Sequence, residues 1–510
     1  MIAADRPKIL ALEALAEQAV AFRAQGKTIV HCHGVFDLLH VGHIRHFKEA
    51  RALGDILVVT LTADNHVNKG PNRPAFAESL RAEAIAALEY VDFVAVSYHP
   101  NAVEVIKCIR PDVYAKGPDY RDASLDHTGG IVREREAVEA GGGRIAFTDG
   151  ATFSSSTLIN RFFPAYPEEV EDWLRRFRHG FAAGDVIDAI KSFTGLRVMV
   201  VGEAIIDEYV YCDQMGKAAK EPVLAMRYNS REKFAGGALA IANHLAQFCD
   251  RVELVTFLGD RNREEAFIRE RLAPNVDPTF LTKPDSPTIV KRRFVERYLM
   301  QKLFEVYEIN DEMLEDPEET ALCTLLEERL SGIDVTIASD FGHGMLSPRA
   351  VRTLGKHAKF LAVNTQINAA NIGFHTISKY KRADFVCIHE GEVRLDARSR
   401  RGDLETLASE VANKLDCDQI LVTHGKSGCT LVDARRGTTK CPAFTTRVVD
   451  RIGSGDAVLA LSSLAVASHL PGELVAFIAN VIGAQAVQIV GNRTSIDRAA
   501  TMKFIETILK

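Results

Sequence analysis

Gly34-Val35-Phe36-Asp37-Leu38-Leu39-His40-Val41-Gly42-His43 follows the apolar residues Thr28 to Val30 and leads into Val41 to Leu53, where apolar residues recur at helical spacing. The spacing predicts a strand, a turn and a helix start in succession. A helix N-terminus carries unpaired N–H groups and a positive dipole end, which together attract an anion. Gly42 lets the backbone approach a phosphate closely, and His40 and His43 can donate to oxygens that gain charge as a phosphorus centre is attacked. One histidine alone is most simply a packed or surface residue. Two of them inside this ten-residue arrangement point to a phosphate-handling turn.

Around the turn, residues 1–163 alternate strand-like runs (Leu57 to Leu61, Phe93 to Val96, Val113 to Ala115) with helical patterns. Such alternation predicts a parallel sheet with crossover helices, the doubly wound α/β class, whose ligands collect at the carboxyl ends of the strands. A charged, helix-prone stretch over 164–194 reads as a helical connector rather than a tether, since it is not rich in Gly, Ser and Pro; its Trp173 reads as a packing anchor. Val198-Met199-Val200-Val201-Gly202 then opens a second domain, 195–510.

That domain has its own phosphate turn. Asp450-Arg451-Ile452-Gly453-Ser454-Gly455-Asp456 precedes an apolar helical pattern from Val458 to Ala467. A Gly-x-Gly alone usually means a tight turn. A carboxylate directly after it is a liability at a phosphate-binding helix start unless it takes part in the chemistry. Asp456 can accept the proton of a sugar hydroxyl that attacks a terminal phosphoryl group, while the amides of Gly453, Ser454 and Gly455 stabilise the transferred charge.

Composition bounds the rest. The chain has 510 residues, 47% hydrophobic and 25% charged, enough for two or three soluble domains. A net charge of −6 offers no electrostatic footprint for nucleic acid or an anionic membrane, so anionic ligands must be held by local sites. The nine cysteines are scattered, without a Cys-x-x-Cys pair or zinc-like grouping, as free thiols in a reducing compartment would be. Met1 to Val20 does not read as a signal peptide and no stretch approaches the ~20 apolar residues of a membrane span, so a cytoplasmic protein is expected.

The first turn resembles the Gly-x-Phe-Asp-x-x-His-x-Gly-His signature of the cytidylyltransferase-like nucleotidyltransferases. Lys69-Gly70 with Arg73-Pro74 is similar to that family's Lys-bearing loop, Lys116-Gly117-Pro118-Asp119-Tyr120 to its Lys-Gly-x-Asp-Tyr segment, and Ser155-Ser156-Thr157-Leu158-Ile159 to its phosphate-contacting Ser-Thr-Thr-x-Ile run. The resemblance implies a Rossmann-like domain in which Gly34, Phe36, Asp37, Gly42, Lys116, Ser155, Ser156 and Thr157 bind nucleotide and phosphate, with His40, His43 and Lys69 catalytic.

The second turn resembles the Asp-x-x-Gly-x-Gly-Asp signature of the ribokinase-like, or PfkB, sugar kinases. Gly202 to Asp207 is similar to that family's first strand, Gly236-Gly237 to its substrate-pocket pair, Ser339 to Gly344 to its Ser-Asp-Tyr-x-x-Gly segment, Thr423 with Gly425 and Gly428 to its nucleotide loop, and Ala479-Asn480 to the helix beside the adenine. The resemblance implies Asp456 as base, Gly453, Ser454 and Gly455 as anion hole, Thr423, Gly425, Gly428 and Asn480 for nucleotide, and Asp207, Gly236 and Gly237 for sugar. It also implies a small β lid over about Val210 to Lys233 that pairs subunits into a homodimer, and Glu392 holding magnesium through water. Three positions depart from the pattern: His389-Glu390-Gly391-Glu392 stands for Asn-x-x-Glu, Ala240 for a common Asn, and Asn364 for the Asp of heptose kinases.

Together the domains resemble the bifunctional ADP-heptose synthases with the domain order reversed. This implies Mg2+, ATP for the kinase and ATP or CTP for the transferase, sugar phosphates as substrates and a nucleotide-activated sugar as product. Two alternatives stand beside it: a cytidylyltransferase acting on a polyol phosphate, and a kinase-like half reduced to sugar-phosphate binding or dimerisation.

Overall fold

In the computed structural model, the run before the histidine turn is strand β1 (Ile29–Gly34), fully buried from Ile29 to Cys32. The strand continues past Val30 through His31 and His33 because β2 (Ile56–Thr62) offers Thr60. Its hydroxyl lies 2.7 Å from His31 Nε2 and 2.8 Å from His33 Nδ1, giving each buried imidazole a partner. The structure describes residues 7–67, 73–122, 126, 129–149, 166–369, 371–445 and 447–510. The chain divides into two units, Met1–Pro167 with Met502–Lys510, and Glu168–Thr501.

In the first unit β3 (Phe93–Ser97), β4 (Val113–Lys116) and β5 (Arg144–Phe147) complete a parallel sheet in the order β3-β2-β1-β4-β5. Successive strands add outward from β1 on one side and then from β4 on the other, so the sheet has a switch point between β1 and β4. A crevice forms there at the carboxyl ends, where such sheets take ligands. Helix α1 (Val41–Arg51) starts at that crevice and buries Phe47 and Ala50 against the sheet.

The second unit begins with helices α2 (Glu168–Gly180) and α3 (Ala183–Lys191), the stretch expected as connector. Val170, Leu174 and Phe177 share one face of α2 and are buried, and Trp173 stacks on Phe177 and Phe477, so α2 packs as part of this unit. The strands follow as β6 (Val198–Gly202), β7 (Ala204–Lys217), β8 (Leu224–Gly237), β9 (Val252–Arg261), β10 (Val276–Pro287), β11 (Ile289–Glu296), β12 (Gln301–Glu308), β13 (Val335–Asp340), β14 (Leu361–Thr365), β15 (Phe385–His389), β16 (Gln419–Thr423), β17 (Cys429–Asp433) and β18 (Gly437–Cys441).

Nine of them form one sheet, β10-β9-β6-β13-β14-β15-β16-β17-β18, parallel from β10 to β16 and antiparallel in the last two pairings. Its central strands are unbroken apolar runs because helices cover both faces; all five residues of β6 are buried. A separate four-stranded sheet, β12-β11-β7-β8, contains the expected lid. It is larger than the sequence suggested, since β11 pairs parallel with β7 across a long sequence separation that local periodicity does not report. Helices α4 (Ala238–Ala246), α5 (Glu390–Asp396), α6 (Ser454–Ala467) and α7 (Gly472–Ala486) complete the elements that bear on the site. Among the described residues no helix is long and apolar enough to cross a membrane.

Candidate active sites

In the first unit the fold brings the two expected motifs to the switch point: Gly34 to His43 follows β1, and Lys116-Gly117 follows β4. His40 is the N-cap of α1, and its Nδ1 accepts the Gly42 N–H at 3.1 Å. That bond fixes the neutral tautomer with hydrogen on Nε2, which has no hydrogen-bond partner among the described residues and is left as a donor. Burial lowers the His40 pKa, which keeps the ring neutral. The His40 and His43 rings stack at 3.9 Å, and Phe36, at φ +49°, sets its ring edge-on to His43 at 5.2 Å.

Asp37 is 2% exposed and accepts from the N–H groups of Ala75 (2.6 Å) and Phe76 (3.3 Å) and from the Arg73 guanidinium (3.1 Å). Its carboxylate therefore anchors the chain at Arg73 to Phe76. Lys116 is buried beneath Tyr120 and ion-paired with Glu134 at 2.7 Å; burial works against its charge, but Tyr114 and Glu134 raise its pKa. Lys69, Ser155, Ser156 and Thr157 lie outside the described residues.

Sequence reasoning missed the neutral imidazoles around this turn. Burial, followed by the Lys116 charge, pulls His33 down to about 3 and His46 to about 4. It also missed Arg81, which donates to the Val35 and Thr62 carbonyls and so clamps the two strand ends. Only three-dimensional adjacency marks either.

In the second unit Gly453 is the N-cap of α6, with φ +81°. A side chain there would be strained, and its Cβ would fall 2.0 Å from Asn492 Oδ1. Gly453, Ser454 and Gly455 thus open the helix with free backbone direction, and Asp456 lies in its first turn. Burial, then the Asp207 charge, raises the Asp456 pKa to about 7; Glu392 adds to this and Lys291 opposes it. Those influences place Asp207, Lys291 and Glu392 around the expected base.

Asp207 on β7 is buried and ion-paired with Arg293. Gly236 of β8 pairs with Ile205, two residues before Asp207, and a Cβ there would come within 2.2 Å of Asp207 Oδ2, so the glycine leaves room for that carboxylate. Gly237 joins the strand to α4. Glu392 accepts from the N–H groups of His389 (2.7 Å) and Ile367 (3.1 Å), and burial raises its pKa to about 7. His389 caps α5 by accepting the Gly391 N–H at 3.0 Å, so the departure from Asn keeps the helix start intact. Asn364 donates to the Cys387 carbonyl at 2.7 Å, and Ala240 is buried in α4.

Thr423 ends β16, and Gly425 and Gly428 shape the turn after it. Asn480 of α7 is buried, its amide 3.0 Å from both Cys429 Sγ and the Ala476 carbonyl. Among the described residues no cluster of three or more His, Cys, Asp or Glu is placed to hold a metal ion. The carboxylates Asp456 and Glu392 suit a hard cation brought in on phosphate oxygens, which keeps most of its water.

The lid contributes residues that sequence reasoning missed. Lys291 of β11 is 6% exposed, with its ammonium 5.6 Å from the Phe341 ring; among the described residues no carboxylate pairs with it. Lys302 of β12 (2.6 Å) and the Tyr209 hydroxyl (2.7 Å) reach Asp450, which also accepts the Ile452 and Gly491 N–H groups. Burial works against the Asp450 charge, yet these donors hold its pKa below the usual carboxylate range.

Comparison with known proteins matches residues 31–161 to the cytidylyltransferase-like family and 196–499 to the pfkB family carbohydrate kinases. Among curated relatives, Bifunctional protein HldE of Geobacter sulfurreducens is 41% identical over 167 residues, 32% of each chain. Bifunctional protein HldE of Koribacter versatilis is 31% identical over 316 residues, 60% of this chain and 63% of that one. These alignments thus span less than two thirds of either relative. Among solved structures, the tetrameric inhibited form of Escherichia coli phosphofructokinase-2 superposes with a TM-score of 0.50 at 14% identity, over 62% of this chain and all of that one, a likeness of fold. With a family match over residues 196–499, more than half of its length, the chain belongs to the pfkB family carbohydrate kinases and carries a cytidylyltransferase-like domain ahead of them.

Proposed function

We propose that the chain is a bifunctional enzyme of nucleotide-sugar synthesis with two magnesium-dependent phosphorus displacements. In the kinase site Asp456 takes the proton of a hydroxyl on a sugar or sugar phosphate, of the heptose 7-phosphate type, as that oxygen attacks the γ-phosphorus of ATP. Asp207 orients the sugar, and the N–H groups of Gly453, Ser454 and Gly455 receive the developing charge. In the transferase site an oxygen of a sugar 1-phosphate attacks the α-phosphorus of ATP or CTP and pyrophosphate leaves. His40, His43 and a lysine such as Lys69 stabilise the charge, with no covalent enzyme intermediate, because an ionised phosphate is an adequate nucleophile once aligned. Magnesium, when bound with the nucleotide, would neutralise the phosphate oxygens, and Glu392 would hold it through water.

The observation that carries this reading is Asp456 at the mouth of the glycine turn with its pKa raised to about 7, a base matched to neutral pH. The HldE relatives, bifunctional proteins by name, support two activities in one chain. Domain limits of 1–163, 164–194 and 195–510 belong to the same reading, as does a cytoplasmic setting, supported by nine free cysteines. So does a homodimer through the lid, whose exposed Leu224, Tyr228, Phe304 and Val306 offer an apolar face.

The test is pyrophosphate release across the nucleoside triphosphates, with heptose 1-phosphate and glycerol 3-phosphate as separate acceptors, alongside ADP formation with heptose 7-phosphate. Release with ATP and the heptose phosphate supports the ADP-heptose reading; release with CTP and the polyol phosphate alone replaces it. Absence of ADP formation with every sugar phosphate would leave the kinase half as a binding module.

A further inference from the structure

In the first unit a carboxylate stands on the buried face of the helix Gly130–Ala140, whose start is fixed by the Ile131 N–H donating to Asp126 Oδ2 at 2.7 Å. Ile131, Glu134 and Val138 fall at i, i+3 and i+7, and Ile131 and Val138 are buried, so Glu134 shares their face. A charge on such a face needs a partner. That partner is Lys116 at the end of β4, with Nζ and Oε2 2.7 Å apart and the two side chains only 10% and 13% exposed. Other groups face the same ammonium: His31, Cys32 and His33 of β1, His46 of α1, Tyr114 of β4, and Tyr120, whose ring lies 4.7 Å away. Burial pulls His31 down, His33 to about 3 and His46 to about 4, and raises the Cys32 thiol and the Tyr114 phenol, so these five stay neutral. Tyr120 meets the ammonium with its ring. Among the described residues Glu134 is therefore the one carboxylate paired with Lys116.

Lys116 stands at the switch-point crevice, and its charge bears on His33 and His46, which lie before and after the histidine turn. Building on the transferase reading above, we propose that Glu134 is a positioning residue for nucleotidyl transfer: it holds the Lys116 ammonium charged and in place beside that turn, and phosphate oxygens of the nucleoside triphosphate take over as counter-ion when nucleotide binds. A buried lysine with no anion beside it gives up its proton readily, with shifts of up to about 3–5 pH units. As a neutral amine Lys116 would attract no phosphate. Glu134 prevents that loss before nucleotide arrives, and the triphosphate, itself an anion, prevents it afterwards. The two anions act in succession on one cation, while Tyr120 limits the directions the ammonium can take.

Carbon-13 NMR of the full-length protein labelled at lysine Cε reads this directly, the Lys116 signal being the one missing from Lys116→Arg. In the unmutated chain that signal should stay an ammonium's up to about pH 10; in Glu134→Gln its midpoint should fall by about 2 units or more, and CTP or ATP should restore most of the loss. Pyrophosphate release gives the functional readout. In Glu134→Gln, kcat/KM for the triphosphate, which reports the free protein, should decline above about pH 8, whereas kcat, which reports the complex, should not. Glu134→Asp keeps the charge and should return the decline toward its unmutated position, with ADP formation by the second unit unchanged in both variants. A Lys116 midpoint that stays put in Glu134→Gln would overturn the inference and leave the transferase reading standing. So would an alkaline decline equally steep in kcat, or one that Glu134→Asp fails to reverse. Pyrophosphate release from no triphosphate by the unmutated chain would overturn the transferase reading and the inference together, whatever the lysine titration shows.

Discussion

Replacing Asp456 with Asn tests the base assignment by activity, by pH and by stability. A positioned general base contributes about 10²–10⁴ in rate, so Asp456→Asn should lower the kinase kcat by about 10³ while pyrophosphate release at the first site is unchanged. Because the carboxyl titrates near 7 in the folded protein, kinase kcat/KM should fall on the acid side of about pH 7, one decade per pH unit. The same shift has a cost in stability. The folded pKa of about 7 exceeds the ordinary 3.8, so the native state binds the extra proton between those values, and stability falls as pH rises through that window. A rise from 3.8 to about 7 corresponds to ~4 kcal/mol at about 1.4 kcal/mol per pH unit; partial exposure to solvent screens this to about 1–2 kcal/mol. Asparagine carries no such charge. The variant should therefore melt higher than the unmutated chain by about 1–3 °C at pH 8, with a smaller gap at pH 6. Stopped assays of ADP and pyrophosphate, with thermal melts at the two pH values, measure all three effects. Kinase turnover in Asp456→Asn within tenfold of the unmutated enzyme, or a melting gap that widens toward acid pH, would refute the reasoning.

His40→Asn keeps an N-capping side chain on α1 but removes the Nε2 donor, so nucleotidyl transfer should fall by about 10²-fold with kinase turnover intact; separate assays of pyrophosphate and ADP check this. Lys291→Met removes a buried cation that has no ion-pair partner among the described residues, and KM for the sugar phosphate should rise by about 10²-fold, measured by steady-state kinetics on the intact protein. Gly236→Ala places a Cβ against Asp207 Oδ2, so sugar binding should fail and the melting temperature should drop by several degrees, about 1–3 kcal/mol of overpacking; a calorimetric melt and a sugar titration together test it.

Both glycine-bearing turns at helix starts were legible because everything that makes them is local. Gly42 follows His40 by two residues, Asp456 follows Gly453 by three, and each helix start is visible in the apolar spacing behind it. The sheet class was legible for the same reason. The ion-pair partners of Asp37 and Lys116 were not: Arg73 and Glu134 engage their charges, and no spacing rule connects them. Lys291, Arg292 and Arg293 of β11 give no local signal of their placement, because three consecutive cations do not show which of them face inward. In the sheet alternate side chains face opposite ways, so Arg292 pairs with Glu208 and Glu308 while Lys291 and Arg293 turn inward toward Asp207.

Asp450 shows why the two parts of the kinase site cannot be assessed separately. It opens the Asp-x-x-Gly-x-Gly-Asp run, yet its carboxylate contacts no reacting position. One oxygen receives Tyr209 of β7 and the Gly491 N–H, and the other receives Lys302 of β12 and the Ile452 N–H. The lid sheet and the anion turn thus share a single buried acceptor. A change that shifts β12 removes the Lys302 charge from Asp450, raises the cost of keeping that carboxylate ionised, and loosens the backbone that aims Gly453 to Gly455. The lid sheet and the glycine turn that opens α6, to which the proposed function assigns sugar and phosphate, are therefore coupled through one buried carboxylate.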